Sequence, residues 1–188
     1  PRPIRTSVWT YAIEEIDAVE SWISRTMPIV PRNVEFTAMM SSAPEPLAGV
    51  ASKTVTGIAT IFADTEEEAA ATLALIADGA PEGALDVQLG FDTTFEVLYL
   101  IVGQSYPEGH RYAVDTNWSA DPSGLLTRLA NAVKEAPSPR SYAIGVVLPP
   151  MDGRAMPDGA FSMAGPAFSS TYAIWPDEDA DAANFDWL

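Results

Sequence analysis

The clearest alternation of apolar and polar positions lies near the C-terminus, in residues 168–175 (FSSTYAIW). This composition is typical of a strand, whose side chains point alternately to two faces. One face carries Phe168, Ser170, Tyr172 and Ile174. The other face carries Ser169, Thr171, Ala173 and Trp175. Such a strand is either the floor of a pocket or an ordinary half-buried strand with a solvated polar side.

Six further stretches have the pattern of strands. They are residues 4–11, 33–41, 54–63, 85–89, 111–118 and 140–148. Apolar positions recur at helical spacing in residues 14–25, 64–78 and 121–135, and a last helix is expected to begin at Asp177 or Asp179. Residues 92–102 are compatible with a helix, a strand or a segment packed under the sheet edge. Residues 149–165, rich in Gly, Pro and Met, predict a long loop.

Two helix starts have capping signals. Asp64 is the predicted N-cap of the helix over 64–78, because Glu67 follows three residues later as in a capping box. Three consecutive glutamates in that first turn suit the positive end of the helix dipole, so we assign them no metal-binding role. Asp121 followed by Pro122 predicts an N-cap and the first helical residue of the helix over 121–135.

The order of elements in the first half of the chain repeats loosely in the second half. Helices separated by these strands predict an antiparallel sheet with helices packed on one face. The fold class is therefore α+β, a duplicated split βαβ arrangement of the ferredoxin-like type. We predict a single domain over residues 1–188 with one sheet of about six or seven strands.

Charge and composition narrow the function classes. The net charge is −16, and no Lys or Arg occurs between Lys53 and Arg111. Phosphate backbones and anionic membranes repel such a surface, so we expect neither a nucleic-acid nor a membrane partner. No apolar run reaches the roughly 18 residues of a membrane span. The chain has no Cys, which excludes disulfides and leaves a cytoplasmic location as the default expectation.

The sequence contains few residues or motifs typical of a catalytic site. His110 is the only histidine and is either a general base or a solvated loop residue. One histidine without cysteine does not form an ordinary zinc site. The sequence contains no Gly-x-Ser-x-Gly, Gly-x-Gly-x-x-Gly or P-loop motif. What remains is a group of polar residues on predicted strands: Tyr172, Ser170, Tyr142 and Tyr112. They either bind an organic ligand and relay a proton, or are core groups with satisfied hydroxyls.

Several stretches, in order over nearly the whole chain, resemble the substrate-binding domain of FAD-linked oxidases of the berberine bridge enzyme type, within the vanillyl-alcohol oxidase superfamily. They are residues 7–11 (SVWTY), 31–36 (PRNVEF), 92–95 (DTTF), 137–141 (PSPRS) and the ending from Trp175 to Trp187. In that family an N-terminal domain holds FAD, and the next domain covers the isoalloxazine ring with its sheet and binds substrate. The resemblance implies oxidation of a small organic molecule by hydride transfer to FAD, which oxygen reoxidises.

The resemblance also implies site residues. The family's basic glutamate corresponds to Ser170, which cannot replace a carboxylate without a base partner. Tyr172, on the same face, is then the expected catalytic residue. The residues expected to bind substrate are Ser170, Tyr142, Tyr112, Phe36, Ala38 and Met40. The family's Thr-Ala-Phe-x-His-Arg run corresponds to residues 159–164 (GAFSMA), which lack the His and Arg.

The resemblance implies that FAD is bound mainly by a domain absent from these 188 residues. We therefore expect a fragment of a longer enzyme, whose partners are a small-molecule substrate and either the flavin domain of the same polypeptide or a second copy covering the sheet face. The alternative is a non-catalytic α+β module that binds a ligand or a partner subunit through its open sheet face. The missing Glu, His and Arg favour this alternative.

Overall fold

The computed structural model describes residues 2–148 and 165–188, and within these ranges the chain forms seven strands and five α-helices. The strands are β1 (Ile4–Ala12), β2 (Val34–Ser42), β3 (Lys53–Phe62), β4 (Asp86–Asp92), β5 (Arg111–Ser119), β6 (Tyr142–Val147) and β7 (Ala167–Trp175). The helices are α1 (Ile16–Thr26), α2 (Glu66–Ala77), α3 (Phe95–Gln104), α4 (Leu125–Lys134) and α5 (Asp181–Trp187).

The described strands form one antiparallel sheet in the order β4-β1-β3-β2-β6-β7-β5. The first half, β1-α1-β2-β3-α2-β4, has the strand order 4-1-3-2 of a split βαβ unit. The second half repeats this arrangement with β5, β6 and β7, and β2 pairs with β6 to join the halves. The predicted α+β class and the single antiparallel sheet are confirmed.

The core lies between the sheet and the helices α1, α2 and α4. Trp22 of α1 meets Trp9 and Phe36 of the sheet edge-to-face, with ring centroids 5.1 Å and 4.9 Å apart. The Trp22 indole N–H also donates to the Ile76 carbonyl of α2 at 2.8 Å. A Cβ at Gly57 would lie 3.2–3.3 Å from the Phe36 and Trp22 rings, so this strand position needs a glycine to let α1 approach.

The start of α2 differs from the prediction by one residue. Thr65, not Asp64, is the N-cap, and its side chain accepts a hydrogen bond from the Glu68 amide at 3.1 Å. The Glu68 carboxylate, not that of Glu67, reaches back to the Asp64 amide at 2.9 Å. The capping principle holds, because a hydroxyl and a glutamate three residues later satisfy free amides.

The predicted start of α4 is wrong by three residues. Gly124, in a left-handed conformation, is the N-cap, and Asp121 instead accepts from the Ser123 amide in the preceding turn. The first amides of α4 are satisfied from outside the helix. The Glu20 carboxylate of α1 accepts hydrogen bonds from the amides of Leu126 at 3.1 Å and Thr127 at 3.2 Å.

The last helix also begins differently from the prediction. A short 3-10 turn, Glu178–Ala180, precedes α5, and Asp177 makes no side-chain capping bond there. Asp181 ties α5 to the sheet, accepting from the Trp175 indole N–H at 2.7 Å and pairing with Arg111 at 2.7 Å. These bonds hold the C-terminal helix against β5 and β7.

The sheet therefore has one face covered by α1, α2, α4 and α5, and a second, which we call the open face. The ambiguous residues 92–102 form the end of β4 and most of α3. Residues at the two ends of α3 contact the open face. Phe95 stacks on Phe62 with centroids 5.9 Å apart, and Tyr106, just after α3, contacts Tyr172.

Candidate functional site on the open face

The strand register brings the predicted polar residues of the last strands together. Tyr142 of β6 lies directly opposite Tyr172 of β7, and Tyr112 of β5 lies opposite Ile174. Ser170 lies between Ile144 and Thr116. Tyr172, Ser170, Tyr142 and Tyr112 therefore share the open face, because positions two residues apart on a strand point the same way.

Phe36, Ala38 and Met40 lie on the opposite face, so they do not share a cavity with the tyrosines, although Phe36 also borders the larger cavity described below. All three are 0% exposed and belong to the core under the helices. β2 alternates between two partly apolar faces, and its bulkiest apolar set packs against α1. The open-face positions of β2 are instead Glu35, Thr37 and Met39.

Four tyrosines form a cluster at one end of the open face: Tyr106, Tyr112, Tyr142 and Tyr172. Tyr142 and Tyr172 stack with centroids 4.4 Å apart. Tyr106 contacts both Tyr112 at 5.8 Å and Tyr172 at 6.2 Å. Sequence reasoning missed Tyr106, because a loop aromatic has no alternation that assigns it to a face.

Hydrogen bonds link the hydroxyls of this tyrosine cluster. Besides burial, the interaction of Tyr106 with Tyr142 and Tyr172 contributes to the shifted pKa of Tyr106, and Tyr106 and Ser105 contribute to that of Tyr142. Tyr112 donates to the Pro107 carbonyl, which holds the loop after α3 against β5. The cluster is therefore connected through Tyr106, which lies in the loop between α3 and β5.

The environment keeps two of these hydroxyls protonated. Burial, followed by the hydrogen bond with Tyr106, raises the pKa of Tyr142 far above its ordinary value. Burial also raises the pKa of Tyr106. Both therefore carry their protons at neutral pH, and Tyr142 is suited to hydrogen bonding rather than to accepting a proton as a phenolate.

Ser170 has its hydroxyl engaged within the sheet. The side chain is 1% exposed, and its oxygen lies 2.8 Å from the Thr116 hydroxyl. It also donates to the Asp115 carbonyl at 3.3 Å. These bonds link β7 to β5, and direct contact with a ligand would require Ser170 to leave them.

The cavities along this face include two beside strands β2 and β6, and a third of about 550 Å³ between Ile4, Phe62 and Phe95. A smaller one, about 250 Å³, lies beside the tyrosine cluster between Met39, Ser42, Ser105 and Tyr142. A larger one, about 550 Å³, lies at the other end of the same strands, and we call it the apolar groove. Its open-face lining is Phe62, Glu35, Thr37, Ile144, Val146, Leu148, Phe168 and Trp118, and Arg32, Asn33, Val34, Phe36 and Val147 also border it.

The other sequence candidates lie apart from this arrangement. His110 bonds through its Nδ1 to the Glu108 carbonyl at 3.2 Å, within its own loop. Over residues 2–148 and 165–188, no group of three or more His, Asp or Glu side chains could hold a metal ion. The family-like run at residues 159–164 and most of the loop predicted for 149–165 lie outside the described residues.

The chain is similar in sequence to two curated FAD-linked oxidoreductases. No protein-family model matches the chain. It is 28% identical over 176 residues to the FAD-linked oxidoreductase ptmO of Penicillium ochrochloron, and 26% identical over 176 residues to the FAD-linked oxidoreductase penO of Penicillium crustosum. The alignments cover 94% of this chain but 38% of each relative. The chain thus spans about two fifths of the length of these curated relatives.

Parts of solved flavoenzymes match the fold of nearly the whole of this chain. A variant of berberine bridge enzyme matches 98% of this chain and 39% of its own length, with a TM-score of 0.65 and 13% identity. GilR, an oxidoreductase that catalyses the terminal step of gilvocarcin biosynthesis, matches 99% of this chain and 40% of its own, with the same TM-score and identity. The predicted resemblance to the berberine bridge enzyme type is confirmed. The substrate-binding residues that this resemblance implies for the chain stay predictions.

Proposed function

We propose that this chain is the substrate-binding part of an FAD-dependent oxidoreductase that oxidises a small, largely apolar organic molecule. The single observation that carries the proposal is an open sheet face with linked tyrosines and an apolar groove, in a chain related to FAD-linked oxidoreductases. Hydride transfer to the flavin and the covering of the flavin ring by this sheet are part of the proposal.

The chain's own residues fit one portion of FAD better than the rest. The open face, with its aromatic rings and uncharged hydroxyls, suits a planar, weakly polar ring system. The stretch between Lys53 and Arg111, which contains β3, α2, β4 and α3, offers no Lys or Arg to a pyrophosphate. FAD would then be held mainly by polypeptide outside these 188 residues, while this chain covers the ring and positions the substrate.

Bound flavin would supply the acceptor for the substrate's hydride, which carries two electrons. The substrate also releases one proton. Tyr172 would take this proton on its oxygen and pass its own hydroxyl proton along the hydrogen bond to Tyr106. Tyr106 is partly exposed, so the proton would leave from there to water. Tyr142, Tyr112 and Ser170 would hold the substrate or the tyrosines in place.

The test uses the complete polypeptide with its flavin. Tyr172→Phe removes the hydroxyl and keeps the ring that stacks on Tyr142. Loss of general acid–base help should slow anaerobic flavin reduction by about 10²- to 10⁴-fold. Tyr99→Phe, on the exposed surface of α3, is the matched control and should change nothing. Unchanged reduction in Tyr172→Phe would remove this residue from the mechanism.

The second candidate is a non-catalytic module that binds a ligand or partner through the open face. Ser170 favours this candidate, because it occupies the position of the family's glutamate and its hydroxyl forms hydrogen bonds with β5. Purification of the polypeptide from its source separates the two. A colourless protein without flavin absorption would sustain the module and defeat the oxidase.

The compartment stays open. No helix among the described residues is long and apolar enough to span a membrane. A cytoplasmic location remains a prediction from the cysteine-free composition.

A further inference from the structure

The apolar groove is built by side chains from five neighbouring strands. Val146, Phe168 and Trp118 stand side by side on β6, β7 and β5, since Phe168 lies opposite both of the others. The Trp118 and Phe168 rings are tilted at 59° with centroids 5.1 Å apart. Thr37 of β2 and Phe62 of β3 continue the lining. The groove is therefore part of the rigid sheet and not a gap between loops.

A spacing of four residues along each strand separates this groove from the tyrosine cluster. Val146 follows Tyr142 by four residues on β6, and Phe168 precedes Tyr172 by four residues on β7. At the rise of a strand, four residues correspond to roughly 13 Å. Ile144 lies between the two ends on the same face. The open face thus offers a continuous track, polar at the tyrosine end and apolar at the other.

The chemistry of the groove selects its ligand. Its floor over β6 and β7 is formed by uncharged side chains, whereas Glu35 lies on β2 between Thr37 and Asn33, with Arg32 beside it in the lining. A charged ligand group over β6 and β7 would lose hydration without a partner there. The volume of about 550 Å³ lies within the range of small-molecule sites.

We propose that the apolar groove binds the far, hydrocarbon end of an elongated neutral substrate whose reacting group lies at the tyrosine cluster. The substrate class is then an aliphatic or fused-ring hydrocarbon with an oxidisable polar group about one track length away. The reaction assigned to this substrate rests on the proposed function. Binding of apolar ligands in the groove does not require flavin.

The first test measures binding of the neutral fluorescent dye Nile red to the 188-residue chain. Val146→Asp places a carboxylate on the groove floor and should weaken saturable binding by at least about tenfold. Val114→Asp is the matched control, because Val114 is an exposed open-face residue outside the groove lining. It should change the affinity by less than about twofold, and circular dichroism should show that both variants fold.

The exposed apolar helix α3 is the surface that would compete with the groove for Nile red. Leu100→Asp places a charge on α3, where Leu100 is exposed, and should leave the affinity unchanged if the dye binds in the groove. Loss of binding in Leu100→Asp, an equal loss in both valine variants, or no saturable binding to the unsubstituted chain would each overturn the proposal.

The second test measures the length of the track. Displacement of Nile red by 1-alkanols of increasing length should improve by about fourfold per methylene, the gain expected for burying one such group. In Val146→Asp this gain should stop at shorter chains, because the hydrocarbon end meets the carboxylate. An unchanged length limit would overturn the track.

The two tests also separate this inference from the proposed function. Dye binding in the groove, together with a complete polypeptide that carries no flavin when purified from its source, would defeat the oxidase and leave the groove standing. An active flavoenzyme whose groove binds no apolar ligand would defeat the groove proposal and leave the oxidase standing.

Discussion

Tyr142 and Tyr172 lie face to face across the β6–β7 pair, with ring centroids 4.4 Å apart and ring planes within 12°. They stack because the two residues are direct partners in the strand register. The stack fixes the Tyr172 ring from one side, while the Tyr106 ring contacts it edge-on with centroids 6.2 Å apart. A residue proposed to move a proton thus has both its position and its orientation set by neighbours.

Tyr142 should make the protein sensitive to alkali. Its folded-state pKa is raised by burial and by Tyr106, whereas an unfolded tyrosine titrates near pH ~10. The stabilising contribution is therefore fully present below about pH 10 and is lost as the pH rises above it. In Tyr142→Phe, the free energy of unfolding should fall less between about pH 9 and 11 than in the unsubstituted chain.

Urea unfolding at a series of pH values measures this difference. Tyr99→Phe is the control, because Tyr99 is 80% exposed. It should follow the unsubstituted chain. Parallel alkaline stability curves for all three proteins would contradict the assignment.

Tyr106 should act on Tyr172 through their hydrogen bond. In the flavin-loaded polypeptide, Tyr106→Phe should slow flavin reduction by about 10- to 100-fold and move its pH profile, because the hydroxyl that receives the proton is gone. A change of rate without a change of pH profile would indicate that Tyr106 has only a packing role. Stopped-flow reduction across the pH range distinguishes these outcomes.

Glu20 should stabilise the fold through α4. Its carboxylate caps two amides at the start of α4 and accepts from the Thr127 hydroxyl at 2.6 Å. Glu20→Ala should lower the free energy of unfolding by about 1–2 kcal/mol, the usual effect of losing a helix cap. Glu14→Ala, at an exposed position before α1, is the control. Equal urea midpoints for the two variants would refute the cap.

Gly145 should not tolerate a larger residue. A Cβ at this position would overlap the Leu126 side chain and lie 3.2 Å from Leu129, because α4 packs directly on β6. Gly145→Ala should cost about 1–3 kcal/mol through overpacking. A Cβ at Gly49 meets open space, so Gly49→Ala serves as the control in thermal unfolding. A Gly145→Ala variant as stable as the control would show that α4 moves aside freely.

α3 should cause the isolated chain to self-associate. Its side chains Phe95, Tyr99, Leu100, Ile101 and Val102 are each more than half exposed. Exposed apolar surface of this kind favours association. The double variant Leu100→Ser and Ile101→Ser should shift sedimentation towards the monomer, whereas Leu75→Ser on α2 should not. Identical sedimentation of both variants would contradict a role for α3.

The sequence by itself determined the described strands, every described α-helix except α3, and the sharing of faces within one strand. Phe168, Ser170 and Tyr172 could be assigned to one face because strand side chains alternate with a period of two. The helix over residues 121–135 was predicted because its apolar positions recur every three or four residues, although α4 begins only at Leu125. Both signals are local and need no knowledge of the rest of the chain.

The tertiary structure decided which face of each strand belongs to the site. β2 offers Phe36, Ala38 and Met40 on one face and Thr37 and Met39 on the other, and alternation cannot tell which set meets the helices. Packing against Trp22 assigned the first set to the core, because that face buries the larger apolar surface.

Contacts between residues distant in sequence were also beyond local patterns. Tyr106 joins the tyrosine cluster because the loop after α3 returns to the open face, and no periodicity in the sequence indicates that path. Glu20 caps a helix that begins more than a hundred residues later, so the start of α4 could not be read from Asp121 and Pro122. A free amide accepts any suitably placed carboxylate, and only the folded chain determines which one arrives.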